Sequence, residues 1–156
     1  MISDKAKIGE NVKIGPYCVI EDGVTIGSGT TIRSYVELRS GTVIGKDCYV
    51  DSRVSSSGNC KVGDNVTLRY DTILARGVEV GDNTYICPRV MTNNLNEKQD
   101  GVGGAKIGSN CFIGTNVVLQ HGITIADNVI IGSMSFVRKD ILEPGVYVGI
   151  PAKKIK

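Results

Sequence analysis

The chain has 156 residues, 20 of them glycine, and its 18 basic and 16 acidic residues give a formal net charge of +2. Nineteen Val and 18 Ile stand against six Leu and five Ala, and this excess of β-branched residues over helix formers excludes a helical bundle or coiled coil. The two signs of charge are interspersed and no segment approaches the roughly 18 apolar residues of a membrane span, so we expect a cytoplasmic protein with no nucleic-acid or membrane partner.

A six-residue repeat runs from Ile2 to Ile86 without an insertion. Fourteen of its fifteen lead positions hold Ile, Val or Leu, and Ser56 is the exception. Gly, Asn or Asp, which tolerate a left-handed backbone, commonly stand three residues after the lead position. A smaller residue stands four after it, so large and small side chains alternate on one strand face. Short strands separated by corners every six residues predict an all-β chain folded as a parallel β-helix, with three hexads in each triangular coil.

The repeat stops after Met91 and resumes from Ile107 to Val137. Residues 2–91 therefore form five coils and the later hexads form two more, about seven in all. The intervening residues 92–106 are rich in Asn and Gly, and an irregular insertion in a regular solenoid is typical of a functional loop. We expect this loop to leave one corner of the helix and to contact a polar ligand.

The five cysteines follow the repeat. Cys18, Cys48, Cys60 and Cys111 occupy the small inward position, which predicts inert core thiols. Cys87 stands where Gly is usual, so it is the one that could be exposed.

One column at successive corners reads Tyr17, Tyr35, Arg53, Asp71 and Arg89. It is either an anion site, in which Arg89 would bind substrate, or an external ladder of stacking and ion pairs between coils. Surface ion pairs contribute about 0 to 1 kcal/mol each. We favour the ladder.

The residue before each lead aliphatic points to solvent. In the last coils these outward residues are mainly apolar: Phe112, Val118, Thr124, Ile130, Phe136 and Leu142. An apolar stripe on the outside of a helix needs to be covered, so it predicts a subunit interface.

The repeat, with the segments Ile131-Gly-Ser-Met-Ser-Phe-Val-Arg-Lys-Asp140 and Gly149-Ile-Pro-Ala-Lys153, resembles the hexapeptide-repeat acyltransferases. The resemblance implies a left-handed β-helix over residues 1–142, with the loop insertion at 92–106 and a short C-terminal tail at 143–156. It also implies a homotrimer with active sites between subunits, and acetyl-CoA as co-substrate without a metal. The likeness is greatest to N-acetyltransferases that act on nucleotide-linked amino sugars in bacterial surface-polysaccharide biosynthesis.

The same resemblance assigns site residues. Val90-Met91-Thr92-Asn93-Asn94 is similar to the segment that opens the loop in those sugar N-acetyltransferases. Asn93 matches the asparagine that meets the sugar amine, and Asn94 would bind the substrate. The residues that it implies for coenzyme A are Gly114, Gly132 and Ser133 for the pantetheine and Arg138, Lys139 and Lys153 for the phosphates.

His121 is the only histidine and therefore the only conventional base. It stands at an outward corner, 18 residues or one coil before Lys139. An amino-sugar amine resembles an α-amino group, whose pKa of roughly 7.7 to 8.0 leaves about a tenth of it neutral at pH 7, so its acetylation needs no strong base. An O-acetyltransferase of a sugar, serine or other small alcohol would use His121 as base. The roles of base and solvated bystander both stay open, as does a non-enzymatic scaffold.

Overall fold

The computed structural model describes residues 1–100 and 103–156, and within these ranges the chain forms only β-strands and connections. Most strands have two residues, and they assemble into three sheets. Sheet I contains β1 (Lys7–Ile8), β4 (Thr25–Ile26), β7 (Val43–Ile44), β10 (Lys61–Val62), β13 (Glu79–Val80), β16 (Lys106–Ile107) and β19 (Thr124–Ile125). Sheet II contains β2 (Lys13–Ile14), β5 (Thr31–Ile32), β8 (Tyr49–Val50), β11 (Thr67–Leu68), β14 (Tyr85–Ile86), β17 (Phe112–Ile113), β20 (Val129–Ile131), β22 (Gly145–Gly149) and β23 (Ala152–Lys154). Sheet III contains β3 (Val19–Ile20), β6 (Glu37–Leu38), β9 (Ser55–Ser56), β12 (Ile73–Leu74), β15 (Met91–Thr92), β18 (Val118–Leu119) and β21 (Phe136–Val137).

Successive strands pass from sheet I to sheet II to sheet III, so each coil has three sides. Strands of neighbouring coils pair in parallel and in a register of 18 residues, as in Lys61↔Glu79. The strands β1 to β21, taken three to a coil, make seven coils. The predicted all-β parallel β-helix of about seven coils is confirmed.

The core is a column of lead aliphatics in the middle of the helix. Ile20, Leu38 and Leu74 have no exposed surface, and the smaller inward residues Val24 and Val36 fill the space between them. Ser56, the one polar lead residue, hydrogen-bonds Thr42 through their hydroxyl groups at 2.6 Å. The inward hydroxyl is therefore satisfied, and the Ser-rich segment remains in register.

All five cysteines are buried and unpaired. Burial raises the pKa of the thiols of Cys48, Cys60, Cys87 and Cys111. Cys87, the one considered open to exposure, is 8% exposed. The prediction of inert core thiols fits this burial, because the thiolate is the reactive form.

The column that begins at Tyr17 is a ladder. The rings of Tyr17 and Tyr35 stack with centroids 5.0 Å apart, and Arg53 donates two hydrogen bonds to the Asp71 carboxylate at 2.7 and 3.1 Å. The hydrogen bonds from Arg53 hold the pKa of Asp71 below its ordinary value. Arg89 Nε continues the ladder by donating to Asn116 Oδ1 on the next coil at 3.0 Å.

The outward apolar residues do not form the single stripe expected from the sequence. A step of six residues carries the chain to the next face, so only positions a whole coil apart share a face. Phe112 and Ile130 lie on sheet II, whereas Val118 and Phe136 lie on sheet III. Thr124 lies on sheet I.

The two ends of the helix differ. At the C-terminal end β22 pairs in parallel with β20, and β23 folds back on β22 as an antiparallel hairpin. Ile141 beneath this end is 6% exposed, whereas Ile2 and Ile8 of the first coil are 50% and 40% exposed. Within the described residues, no helix is long and apolar enough to cross a membrane.

Candidate active site

The loop begins after β15 and ends before β16, at the corner between sheets III and I. The register across it is 27 residues, as in Glu79↔Lys106, instead of 18. Nine residues are therefore additional to a normal coil. We call this corner, with residues 75–77, 93–105, 120–122 and 138–140, the loop corner.

Hydrogen bonds fix the start of the loop. Thr92 Oγ1 accepts a bond from the amide of Ala75 at 2.7 Å and donates one to the carbonyl of Ile73 at 2.9 Å. The next amide, that of Asn93, donates to the carbonyl of Leu119 on the following coil at 3.0 Å. Asn93 and Asn94 are both half-buried. The position of Asn93 is thus set by the helix, although the residue opens an irregular segment.

The register brings the expected catalytic residues together. Thr92 pairs with Leu119, and Leu119 pairs with Val137. Asn93 therefore lies in one column with Gln120 and Arg138, each the first residue after its strand. Asn94, His121 and Lys139 form the neighbouring column at the second position. The one-coil separation of His121 from Lys139 is as predicted.

The two nitrogens of His121 lie in different surroundings. Nδ1 is buried and has no hydrogen-bond partner among the residues that the structure describes. The side chain as a whole is half-exposed. A buried N–H without an acceptor is less well tolerated than a buried lone pair. This favours the tautomer that carries its proton on Nε2, the nitrogen left at the surface.

Three of the expected coenzyme A residues line one cleft. Arg138, Lys139 and Lys153 surround a cavity of about 440 Å³ between the last coil and the tail hairpin. Tyr147 and Lys154 line it as well, and Asp140 is its one acidic residue. The cleft is therefore cationic, and it adjoins the loop corner through residues 138–140.

The other expected coenzyme A residues lie at a different corner. Gly114, Gly132 and Ser133 follow strands of sheet II, at the ladder corner between sheets II and III. The amide of Gly114 donates to the carbonyl of Ile131 at 2.8 Å, and that of Gly132 donates to Tyr147 at 2.9 Å. Within one chain the structure does not join these glycines to the cationic cleft, because the width of sheet III separates the two corners.

Arg89 also lies at the ladder corner, away from Asn93 and His121. Sequence analysis missed two residues of the loop corner, Gln120 and Arg76. Alignment of the repeats across the loop in steps of 18 and 27 residues is the signal that finds both. Among the described residues, no group of three His, Cys, Asp or Glu side chains is placed to hold a metal ion.

Comparison with known protein families supports this architecture. The model of the GMPPB C-terminal domain matches residues 1–100, which is more than half of the chain. The chain belongs to this family. The model of the bacterial transferase hexapeptide, with six repeats, matches residues 104–139, and the expected hexapeptide-repeat family is thereby confirmed. No curated protein matches the sequence significantly.

Several solved structures share the fold. LpxA from Bacteroides fragilis, a UDP-N-acetylglucosamine acyltransferase, has a TM-score of 0.78 at 22% identity, over 99% of this chain and 71% of its own. The perosamine N-acetyltransferase of Caulobacter crescentus, in complex with CoA and GDP-perosamine, has a TM-score of 0.60 at 20% identity, over 92% of this chain and 57% of its own. The N-acyltransferase AntD of Bacillus cereus, in complex with dTDP and coenzyme A, has a TM-score of 0.53 at 20% identity, over 99% of this chain and 78% of its own.

Proposed function

We propose that this chain transfers an acetyl group from acetyl-CoA to the amine of a nucleotide-linked amino sugar. The observation that carries the proposal is the loop corner, where Asn93, His121 and the cationic cleft adjoin the insertion in the helix. The CoA, GDP-perosamine and dTDP in the neighbouring structures agree with it. We place the reaction in the cytoplasm and within the assembly of bacterial surface polysaccharides.

Asn93 orients the nucleophile. Its side-chain oxygen accepts a hydrogen bond from the sugar amine, which leaves the nitrogen lone pair directed at the thioester. The lone pair attacks the carbonyl carbon, the carbon–sulfur bond breaks, and coenzyme A leaves as the thiolate while the amine proton passes to solvent. Because a substantial part of such an amine is neutral near pH 7, positioning contributes more than deprotonation.

His121 stabilises the oxygen that becomes negatively charged. With Nδ1 buried as a bare lone pair, the surface Nε2 carries the proton and donates a hydrogen bond to the thioester oxygen. One such donor is typically worth about 10²- to 10³-fold in rate. In this role the imidazole accepts no proton during the reaction.

Coenzyme A occupies the cationic cleft. Arg138, Lys139 and Lys153 bind its phosphates, and the thioester then lies towards His121 on the same corner. The assignment of Gly114, Gly132 and Ser133 to the pantetheine remains part of the proposal, and it concerns the surface of the ladder corner. The amides of Gly114 and Gly132 are already bonded within the chain.

A screen of acetyl-CoA consumption tests the reaction. We expect turnover with one or more members of a panel of UDP-, dTDP- and GDP-linked amino sugars, and no turnover with the corresponding hydroxy sugars. Absence of coenzyme A binding in calorimetry would contradict the proposal and favour a scaffold.

A conservative variant tests the role of His121. His121→Gln keeps an N–H donor near the position of Nε2 but removes the base, whereas His121→Ala removes both. We expect the Gln variant to retain kcat within about tenfold and the Ala variant to lose about 10²- to 10³-fold. If both variants lost about 10²- to 10⁴-fold, His121 would be the general base, and a hydroxyl acceptor would be the better interpretation.

A further inference from the structure

Arg76 lies at the loop corner on the coil that precedes the loop. It is the second residue after β12, so the pairing of β12 with β15 and of β15 with β18 places it in the column of Asn94 and His121. Its side chain is exposed. The loop therefore has a cation on the side opposite to the cationic cleft.

Arg76 has no ionic partner, unlike most arginines of the chain. Four of the seven arginines are bound to a carboxylate or amide on their own or a neighbouring coil: Arg39 to Glu37, Arg53 to Asp71, Arg69 to Asp51 and Arg89 to Asn116. Arg76 makes no salt bridge or side-chain hydrogen bond with any residue in the described ranges. Its N–H donors are available to a ligand.

The guanidinium is nevertheless held in place. A Cβ built on Gly58 would lie 3.3 Å from Nη2 of Arg76 and 3.5 Å from its Cζ, so the guanidinium group packs over this glycine. Gly58 is buried although it occupies an outward corner position. A guanidinium that is packed on one side and unpaired at its edge is suited to bind phosphate oxygens, which match its fork of donors.

The distance to His121 fits the length of the proposed substrate. Arg76 and His121 are two coils apart, which is roughly 10 Å at about 4.8 Å for each coil. A sugar ring and its first phosphate cover a distance of this order. We propose that Arg76 binds the diphosphate of the nucleotide-linked sugar, an inference that rests on the proposed function. The two substrates then approach His121 from opposite sides, and their phosphates are bound by separate cations.

Three variants test this role. Arg76→Gln removes the charge, Arg76→Lys keeps the charge without the two-pronged donor, and Arg33→Gln is the control. Arg33 is an exposed arginine at the ladder corner, and it has no ion pair with a described residue either. We expect Arg76→Gln to raise KM for the nucleotide sugar roughly ten- to hundredfold, with KM for acetyl-CoA unchanged. Arg76→Lys should lie between, and Arg33→Gln should behave like the unmodified chain.

Calorimetry with UDP, dTDP and GDP gives a readout that needs no turnover. We expect one of them to bind the unmodified chain and to bind Arg76→Gln at least tenfold more weakly. Equal binding by both chains, no binding by the unmodified chain, or a raised KM for acetyl-CoA alone would each overturn the inference. If a nucleoside diphosphate binds through Arg76 but no amino sugar is acetylated, the inference stands and the proposed reaction fails.

Discussion

Single glycines set how closely adjacent coils approach. Gly27 directly follows a strand of sheet I, and a Cβ built on it would lie 2.5 Å from the carbonyl carbon and oxygen of Gly45 on the next coil. Backbone atoms cannot move away as a side chain can. The glycines of this column are needed for space, whereas Gly23 is a corner glycine with φ of +71°.

A pair of substitutions separates these two roles. Gly27→Ala should lower the free energy of unfolding by about 1 to 3 kcal/mol, because the added methyl group forces the coils apart. Gly23→Asn is the control, since asparagine tolerates the left-handed region and the nearest atom to a Cβ there is 3.9 Å away. Urea unfolding measures both variants. An unchanged midpoint for Gly27→Ala would show that the coils can separate at little cost.

The strands and their register could be predicted from the sequence because a six-residue period leaves one arrangement for large, small and corner residues. His121 and Lys139 could be placed one coil apart by the same arithmetic. The distribution of Phe112 and Phe136 on different faces needed the extra step of counting whole coils. The bonding of the Gly132 amide to Tyr147 was beyond the repeat, because the tail hairpin has no hexad. The burial of one nitrogen of His121 depends on the irregular loop corner, and no periodic pattern encodes it.

The loop is separable from the helix as an element. Removal of residues 95–103 takes out the nine additional residues and joins Asn94 to Gly104. The new segment Thr92-Asn93-Asn94-Gly104-Ala105-Lys106-Ile107 is then a regular hexad with glycine at the corner. We expect the thermal midpoint to stay level or rise, since a shorter connection costs less entropy on folding.

The same deletion should abolish acetyl transfer, because the proposed site loses the segment that follows Asn93 and Asn94. Steady-state kinetics with the substrates of the intact chain measure this loss, and circular dichroism checks that the helix is unchanged. Calorimetry should still detect coenzyme A at the cationic cleft, whose lining residues are all outside the deletion. Full activity of the shortened chain would place the reaction elsewhere on the helix.

The three faces of the whole molecule differ in their outward side chains. In the C-terminal half, sheet I presents Lys61, Glu79 and Lys106. Sheet II presents Tyr85 and Phe112, whose rings stack with centroids 5.7 Å apart, followed by Ile130. Sheet III presents an apolar column of Ile73, Met91, Val118 and Phe136. Two faces are thus apolar and one is charged, and adjoining apolar faces of this kind favour contacts between subunits.

The proposed homotrimer therefore uses sheets II and III and leaves sheet I at the surface. We expect the unmodified chain to have three times its mass of 16.6 kDa in light scattering after size exclusion. Phe112→Glu and Phe136→Glu each place a charge in an apolar column and should shift the population towards monomer. Thr124→Glu places the same charge on sheet I and should leave the assembly intact. Dissociation by Thr124→Glu with resistance of the other two would assign the interface to sheet I. Because Asn93 follows the sheet III column directly, a trimer built on that face brings a second subunit next to the loop corner, and the phenylalanine variants should then lose acetyl transfer in proportion to their loss of trimer.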